Sequence, residues 1–236
     1  MSSTDLPTKR FTTISKFAGE AFATEGNVRT VFASASKDDV KRDDKVIILV
    51  GPAGMGKSTF IDCMCNYFYG ADLDGKFRYK IADEVFDGTT PYKTIIRYVF
   101  NETSMPFRPI VIDTPGISGQ TNVQADAEVS ELLYSFLRMS ERVVVNAVGL
   151  VMQYSETKVA TEDEGKIRKV LAMFPKSMMA NVVPIISHSD SSTIPDSIRT
   201  LLHNLGLGDN KCFSFNSKYL LDDDSVAEVK DYCLLR

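Results

Sequence analysis

From Lys45 onward, short apolar runs alternate with longer segments whose apolar residues recur every three to four positions. Val46-Ile47-Ile48-Leu49-Val50 is apolar throughout, the pattern of a strand buried on both faces. It predicts a strand over 45–50, followed by a helix over 57–69. Residues 94–101 alternate instead, with Ile95, Arg97 and Val99 on one face and Ile96, Tyr98 and Phe100 on the other. Met105-Pro106-Phe107-Arg108 turns into a strand over 109–113. That connection is too tight for a crossover helix, so the two strands are predicted antiparallel. A helix over 122–139 follows, with Val129, Leu132, Leu133, Phe136 and Leu137 on its buried face. The remaining pattern predicts strands over 142–152, 182–187 and 212–215 and helices over 160–174, 192–205 and 224–235.

The result is an α/β fold in three layers. Six predicted strands form a mostly parallel sheet with one antiparallel strand, and helices cover both faces. Such sheets bind ligands outside the carboxyl ends of their strands. Residues 44–236 form this domain, and residues 1–43 read as a polar extension rich in Ser, Thr, Lys and Asp. Within the extension, Phe11, Ile14, Phe17, Ala18, Ala21 and Phe22 recur at helical spacing. They predict a short amphipathic helix that packs on the domain, with a partner or a membrane surface as alternatives. Residues 37–45 mix both charges and read as a solvated connector.

The chemistry begins where the first strand ends. Gly51-Pro52-Ala53-Gly54-Met55-Gly56-Lys57-Ser58-Thr59 fits the phosphate-binding loop G-x-x-x-x-G-K-[ST], with the strand before it and the helix after it that the motif requires. Its glycines let successive N–H groups turn toward one anion, and the helix start adds its unpaired N–H groups and dipole. Lys57 is expected to reach the β- and γ-phosphates and the Ser58 hydroxyl to ligate Mg²⁺. The third strand ends in Asp113-Thr114-Pro115-Gly116. Asp113 there can hold a Mg²⁺ hydration shell, and the Gly116 N–H can approach a γ-phosphate. The fifth strand delivers Ser187-His188-Ser189-Asp190.

Composition narrows the field. A net charge of −4 over 236 residues argues against a nucleic-acid binder that works through bulk charge. Cys63, Cys65, Cys212 and Cys233 form neither a disulfide framework nor a complete metal set, and read as reduced packing cysteines. The longest apolar run, residues 143–152, is too short to span a bilayer, and no signal peptide opens the chain. A cytoplasmic protein is expected, with peripheral membrane contact open through the extension.

Residues 51–59, 113–116 and 146–190 together resemble the Ras-like (TRAFAC) P-loop GTPases. They are most similar to the branch that holds the septins, the immunity-associated GTPases and the chloroplast import-receptor GTPases. The last stretch carries an apolar strand, Glu162-Asp163-Glu164 opening a helix, Phe174, and a histidine, His188, where these relatives often replace lysine. The resemblance covers roughly residues 45–220 and implies GTP or GDP with Mg²⁺. It places Asp190 on the guanine N1–H and N2–H₂, where adenine would leave the carboxylate unpaired at a loss of ~2–4 kcal/mol. The same resemblance sets the His188 ring against the base and makes Asn216, after the sixth strand, a candidate for the loop that closes over it. Before the second strand it implies a threonine that binds Mg²⁺ when γ-phosphate is present; Thr89 and Thr90 are the candidates, with Thr94 a third. Lys57, Thr90 and Gly116 are then the catalytic set, and Ser58, Thr90 and Asp113 the metal set.

One departure bears on mechanism. Ile117 follows Gly116 where many Ras-like enzymes carry a water-positioning glutamine, and Gln120 lies three residues on. Slow hydrolysis is therefore expected unless a partner supplies the missing group. The resemblance implies pairing across the nucleotide face, hence a nucleotide-dependent homo-oligomer. The leading expectation is a GTP-dependent switch. A nucleotide-locked binding module stands second, and an ATP-dependent phosphotransferase, which the D-T-P-G strand end and Asp190 disfavour, stands third.

Overall fold

The central strand is β4 (Asp44–Val50), whose apolar run sends Val46, Ile48 and Val50 into one core and Leu49 into another on the opposite face. The structure is a computed structural model that describes residues 13–16, 22–33, 43–71, 77–82, 94–117, 123–139, 144–154, 161–189 and 193–216. The other strands are β1 (Thr13–Lys16), β2 (Phe22–Glu25), β3 (Val28–Phe32), β5 (Phe77–Lys80), β6 (Ile95–Val99), β7 (Arg108–Asp113), β8 (Val145–Gln153), β9 (Val182–Ser187) and β10 (Phe213–Ser214). The helices are α1 (Lys57–Phe68), α2 (Val123–Met139), α3 (Thr161–Leu171) and α4 (Asp196–Asn204), with a short 3-10 turn over Lys176–Asn181.

The main sheet runs β10-β9-β8-β4-β7-β6-β3-β2. Strands β4, β7, β8, β9 and β10 pair in parallel, and β6 is antiparallel to β7, as its tight connection predicts. The two faces of β6 also follow the alternation: Ile95 and Val99 join one core, Ile96, Tyr98 and Phe100 the other. Helix α1 packs Phe60, Ile61, Cys65 and Phe68 on one face of the sheet. Helices α2, α3 and α4 bury Leu133, Phe136, Ile167, Val170, Ile198 and Leu202 on the other. Three layers result, as expected, and β4 and β7 both direct their carboxyl ends to the same edge.

Three expectations need correction. Among the described residues the main sheet has eight strands rather than six, and β3 runs alongside β6, so a second strand opposes the majority direction. The short amphipathic helix expected around residues 11–22 is replaced, among the described residues, by strands β1 and β2. Strands β2 and β3 form a hairpin around Gly26-Asn27, where Gly26 has φ 57, the first loop position at which a II′ turn takes glycine. The sheet thus begins within the segment read as an extension, because β3 finds a partner in β6 over five register pairs. The polar stretch before β6 also contains β5, which pairs in parallel with β1 in a separate two-stranded sheet. The helix expected over 224–235 lies outside the described residues.

Candidate nucleotide site

At the carboxyl end of β4 the chain enters the loop through Gly51, Gly54 and Gly56, with φ of 148, 77 and 87. A side chain at Gly51 would place Cβ 2.2 Å from the Val151 carbonyl oxygen, so this glycine lets the loop press on β8. Gly56 sits at the left-handed N-cap of α1, where no side chain caps the helix and no acidic residue occupies the first turn. The end of α1 is therefore electropositive and faces the loop.

Lys57, 7% exposed, donates from Nζ to the carbonyls of Gly51 at 3.2 Å and Pro52 at 2.9 Å. Burial lowers its pKa from the ordinary 10.5 to about 8, against the opposing pull of the Asp113 carboxylate. The Ser58 hydroxyl lies 3.4 Å from Asp113 Oδ2, bringing together two of the three residues named for the metal. Thr114 donates its hydroxyl to the Leu49 carbonyl at 2.7 Å, which fixes the end of β7 against β4. Gly116 then meets the loop so closely that a Cβ would stand 2.5 Å from Ala53 Cα and 2.8 Å from Lys57 Nζ. A parallel bridge between Pro52 and Ile117 holds this approach, Ala53 N–H donating to the Ile117 carbonyl at 3.0 Å. Ile117 itself is 2% exposed and packs into the main core. Its side chain is a packing group, and its backbone is the clasp between the D-T-P-G segment and the loop.

The carboxyl end of β9 is tied to the same loop by a residue outside the candidate set. Ser187, buried at the end of β9, donates to the Met55 carbonyl at 2.9 Å. Its place at the head of Ser187-His188-Ser189-Asp190 was the available signal. His188 is exposed and has φ 56, an uncommon conformation for a residue with a Cβ. Ser189 N–H donates to the Phe215 carbonyl at 3.2 Å, and the Phe215 ring lies 4.9 Å from that of Phe60 on α1. The segment after β10, with half-buried Asn216, is thereby brought beside the start of α1. Asp190, Thr89 and Thr90 lie outside the described residues, as does Gln120; Thr94 is half-buried just before β6.

Helix α1 also carries a polar face that the sequence did not disclose. Buried Asp62 accepts on Oδ1 from the N–H groups of Ile81 at 2.7 Å and Ala82 at 2.8 Å. Asn66 exchanges two hydrogen bonds with the Tyr79 backbone, at 2.7 and 2.9 Å. These bonds hold β5 on the helix that starts at the loop. Cys63, Cys65 and Cys212 are free thiols; burial pushes Cys212 up to about 11 and Cys65 higher still. Among the described residues no group of three or more His, Cys, Asp or Glu could hold a metal, and no helix is long and apolar enough to cross a membrane.

No protein-family model matches the chain, and no curated protein matches its sequence. Solved structures do match its fold. Toc33 from Arabidopsis thaliana in complex with GDP and Mg²⁺ aligns with a TM-score of 0.52 at 14% identity, over 74% of this chain and 71% of that one. Toc33 with Mg²⁺ and GMPPNP gives 0.52 at 12% identity over 75% and 72%. A structure from work on the importance of dimerization for the GTPase activity of the chloroplast translocon components Toc33 and Toc159 gives 0.51 at 12% over 75% and 71%. At such identities the likeness is one of architecture. The chain shares the α/β fold of these structures.

Proposed function

We propose that the chain is a guanine-nucleotide switch that binds GTP with Mg²⁺, hydrolyses it slowly to GDP and phosphate, and pairs with a second copy in the GTP state. The convergence of Lys57, Ser58, Asp113 and Gly116 on one glycine loop carries this reading. In it, the loop N–H groups and the buried Lys57 ammonium bind the phosphates, whose charge draws Lys57 back to its protonated form. Ser58 and Asp113 are hard oxygen donors of the class Mg²⁺ takes, and their proximity fits them to hold it. Mg²⁺ held by Ser58 and Asp113 would supply charge neutralisation for the phosphates. Gly116 offers its N–H to the γ-phosphate, and Thr89 or Thr90 completes the GTP-bound arrangement. Asp190 reads guanine, with the His188 ring against the base and Asn216 in the loop that closes over it. Ser187 keeps that strand end in register with the loop.

The likeness in fold to Toc33 crystallised with GDP or GMPPNP and Mg²⁺ supports the choice of ligand. The neighbour whose GTPase activity is tied to dimerization supports pairing. Placement in the septin, immunity-associated and import-receptor branch, a cytoplasmic setting, and contact with an effector protein or membrane surface through the N-terminal segment belong to the same proposal. With Ile117 packed in the core, it offers no polar group to orient water, so the missing group comes from the second copy. A second reading, a module that holds nucleotide without useful hydrolysis, is favoured by that same burial. Single-turnover phosphate release from GTP at several protein concentrations separates them. The switch requires a slow rate that rises with concentration; a rate independent of concentration contradicts pairing, and no release above background leaves the locked module.

A further inference from the structure

Arg97 occupies a position where the sheet otherwise places aliphatic side chains. It lies on β6 between Ile95 and Val99, on the face whose other members enter the main core, with Thr30 and Ile112 beside it on the adjacent strands. Its Nε donates to Thr30 Oγ1 at 3.1 Å, and among the described residues that is the hydrogen bond this guanidinium makes. A guanidinium has five donors, and half-burying one on an apolar face is unfavourable unless an anion answers it. Beside it opens a cleft of about 350 Å³, lined by Phe32, Val46, Val99 and Ile110. That size is at the lower end of pockets that take small molecules.

The charge in the cleft is specific. Arg108, also on its wall, is already forked onto Asp44, with Nε–Oδ1 2.6 Å and Nη2–Oδ2 2.9 Å. That pair is neutral, which leaves Arg97 as the one cation on the cleft wall, among the described residues, that no carboxylate answers. One guanidinium over an apolar floor suits a carboxylate carried on an apolar chain. A phosphate dianion would call for a second cation, and Arg108 is engaged.

We propose that this cleft is a second ligand site, which takes a small amphipathic carboxylate with its head on Arg97 and its chain on Phe32, Val99 and Ile110. The site sits at the amino ends of β4 and β7, whereas the glycine loop leaves the carboxyl end of β4, about 20 Å away along the strand. It therefore stands or falls independently of the nucleotide reading.

The rival occupant is a carboxylate of the chain itself, since Asp38, Asp39 and Glu141 belong to segments that adjoin the cleft in sequence. Calorimetric titration of the full chain with decanoate below its micellar range, with decanol and acetate as partial probes, tests the proposal. Decanoate should bind at one site, each partial probe at least tenfold more weakly. Arg97→Gln should weaken decanoate at least tenfold while the protein still melts cooperatively. Amide resonances of Phe32, Val46 and Val99 should shift on titration, and those of the glycine loop should not. Equal binding by Arg97→Gln, shifts mapping elsewhere, or no saturable binding would overturn the proposal. So would binding that emerges only after Glu141→Gln or paired Asp38→Asn and Asp39→Asn changes, which would show the cation already held from within.

Discussion

Ser187 Oγ donates to the Met55 carbonyl at 2.9 Å, joining the strand end that presents His188 to the loop that presents Lys57. The bond is buried and links residues 132 positions apart in sequence. Ser187→Ala should lower stability by about 1 kcal/mol in denaturant unfolding and weaken GDP binding about fivefold, whereas Ser187→Thr should retain most of both. Equal affinities for wild type and the alanine variant would remove Ser187 from the site.

Asp62 answers two consecutive N–H groups, those of Ile81 and Ala82, from within α1. Asp62→Ala would leave both donors buried without that acceptor, and should destabilise the fold by about 2–4 kcal/mol. Asp62→Asn, which keeps an acceptor oxygen, should fall between the two. Urea unfolding of the three proteins checks the order, and an alanine variant as stable as the asparagine one contradicts the anchor.

Gly116 lies against Ala53 so closely that a methyl group must part them. Gly116→Ala is expected to push the D-T-P-G segment off the loop and break the Pro52–Ile117 bridge. GTP binding should fall at least tenfold while GDP binding changes little, since the γ-phosphate alone is proposed to use the Gly116 N–H. Parallel titrations with GDP and a non-hydrolysable GTP analogue decide the matter; an equal loss for both would mean that the glycine serves the loop as a whole.

Lys57 gives a pH signature. Its folded pKa of about 8 lies below the ordinary 10.5, so between those values the unfolded chain binds more protons than the native one. Stability must then rise with pH across that window, by about 3 kcal/mol in total, because burial of the charged form is relieved. Lys57→Met should abolish this contribution, so wild type should gain stability relative to the variant from pH 8 to 10.5 in nucleotide-free protein. A pH-independent difference would mean that the ammonium is not desolvated.

Local patterns carried much of this fold and its chemistry into the sequence. The apolar run of β4, the alternation in β6 and the glycine loop can each be read over a few residues, and each lies where the pattern put it. The N-terminal hairpin was also legible: Gly26-Asn27 between Phe22–Glu25 and Val28–Phe32 is a two-residue hairpin signal. Strand β5 could not be read so, because Phe-Arg-Tyr-Lys has no apolar run and is held by Asp62 and Asn66 of the preceding helix. At Ile117 the sequence disclosed only that a polar group is missing. That the side chain belongs to the core, and its backbone to the clasp on the loop, depends on contacts across 65 residues of chain.

The central claim is that the glycine loop and the strand ends around it form a guanine-nucleotide site. Competition against a fluorescent GDP analogue, with Mg²⁺ present, tests it most directly. GTP and GDP should displace the probe, and ATP should fail to do so even at a hundredfold excess. Displacement by ATP as readily as by GTP would contradict the account.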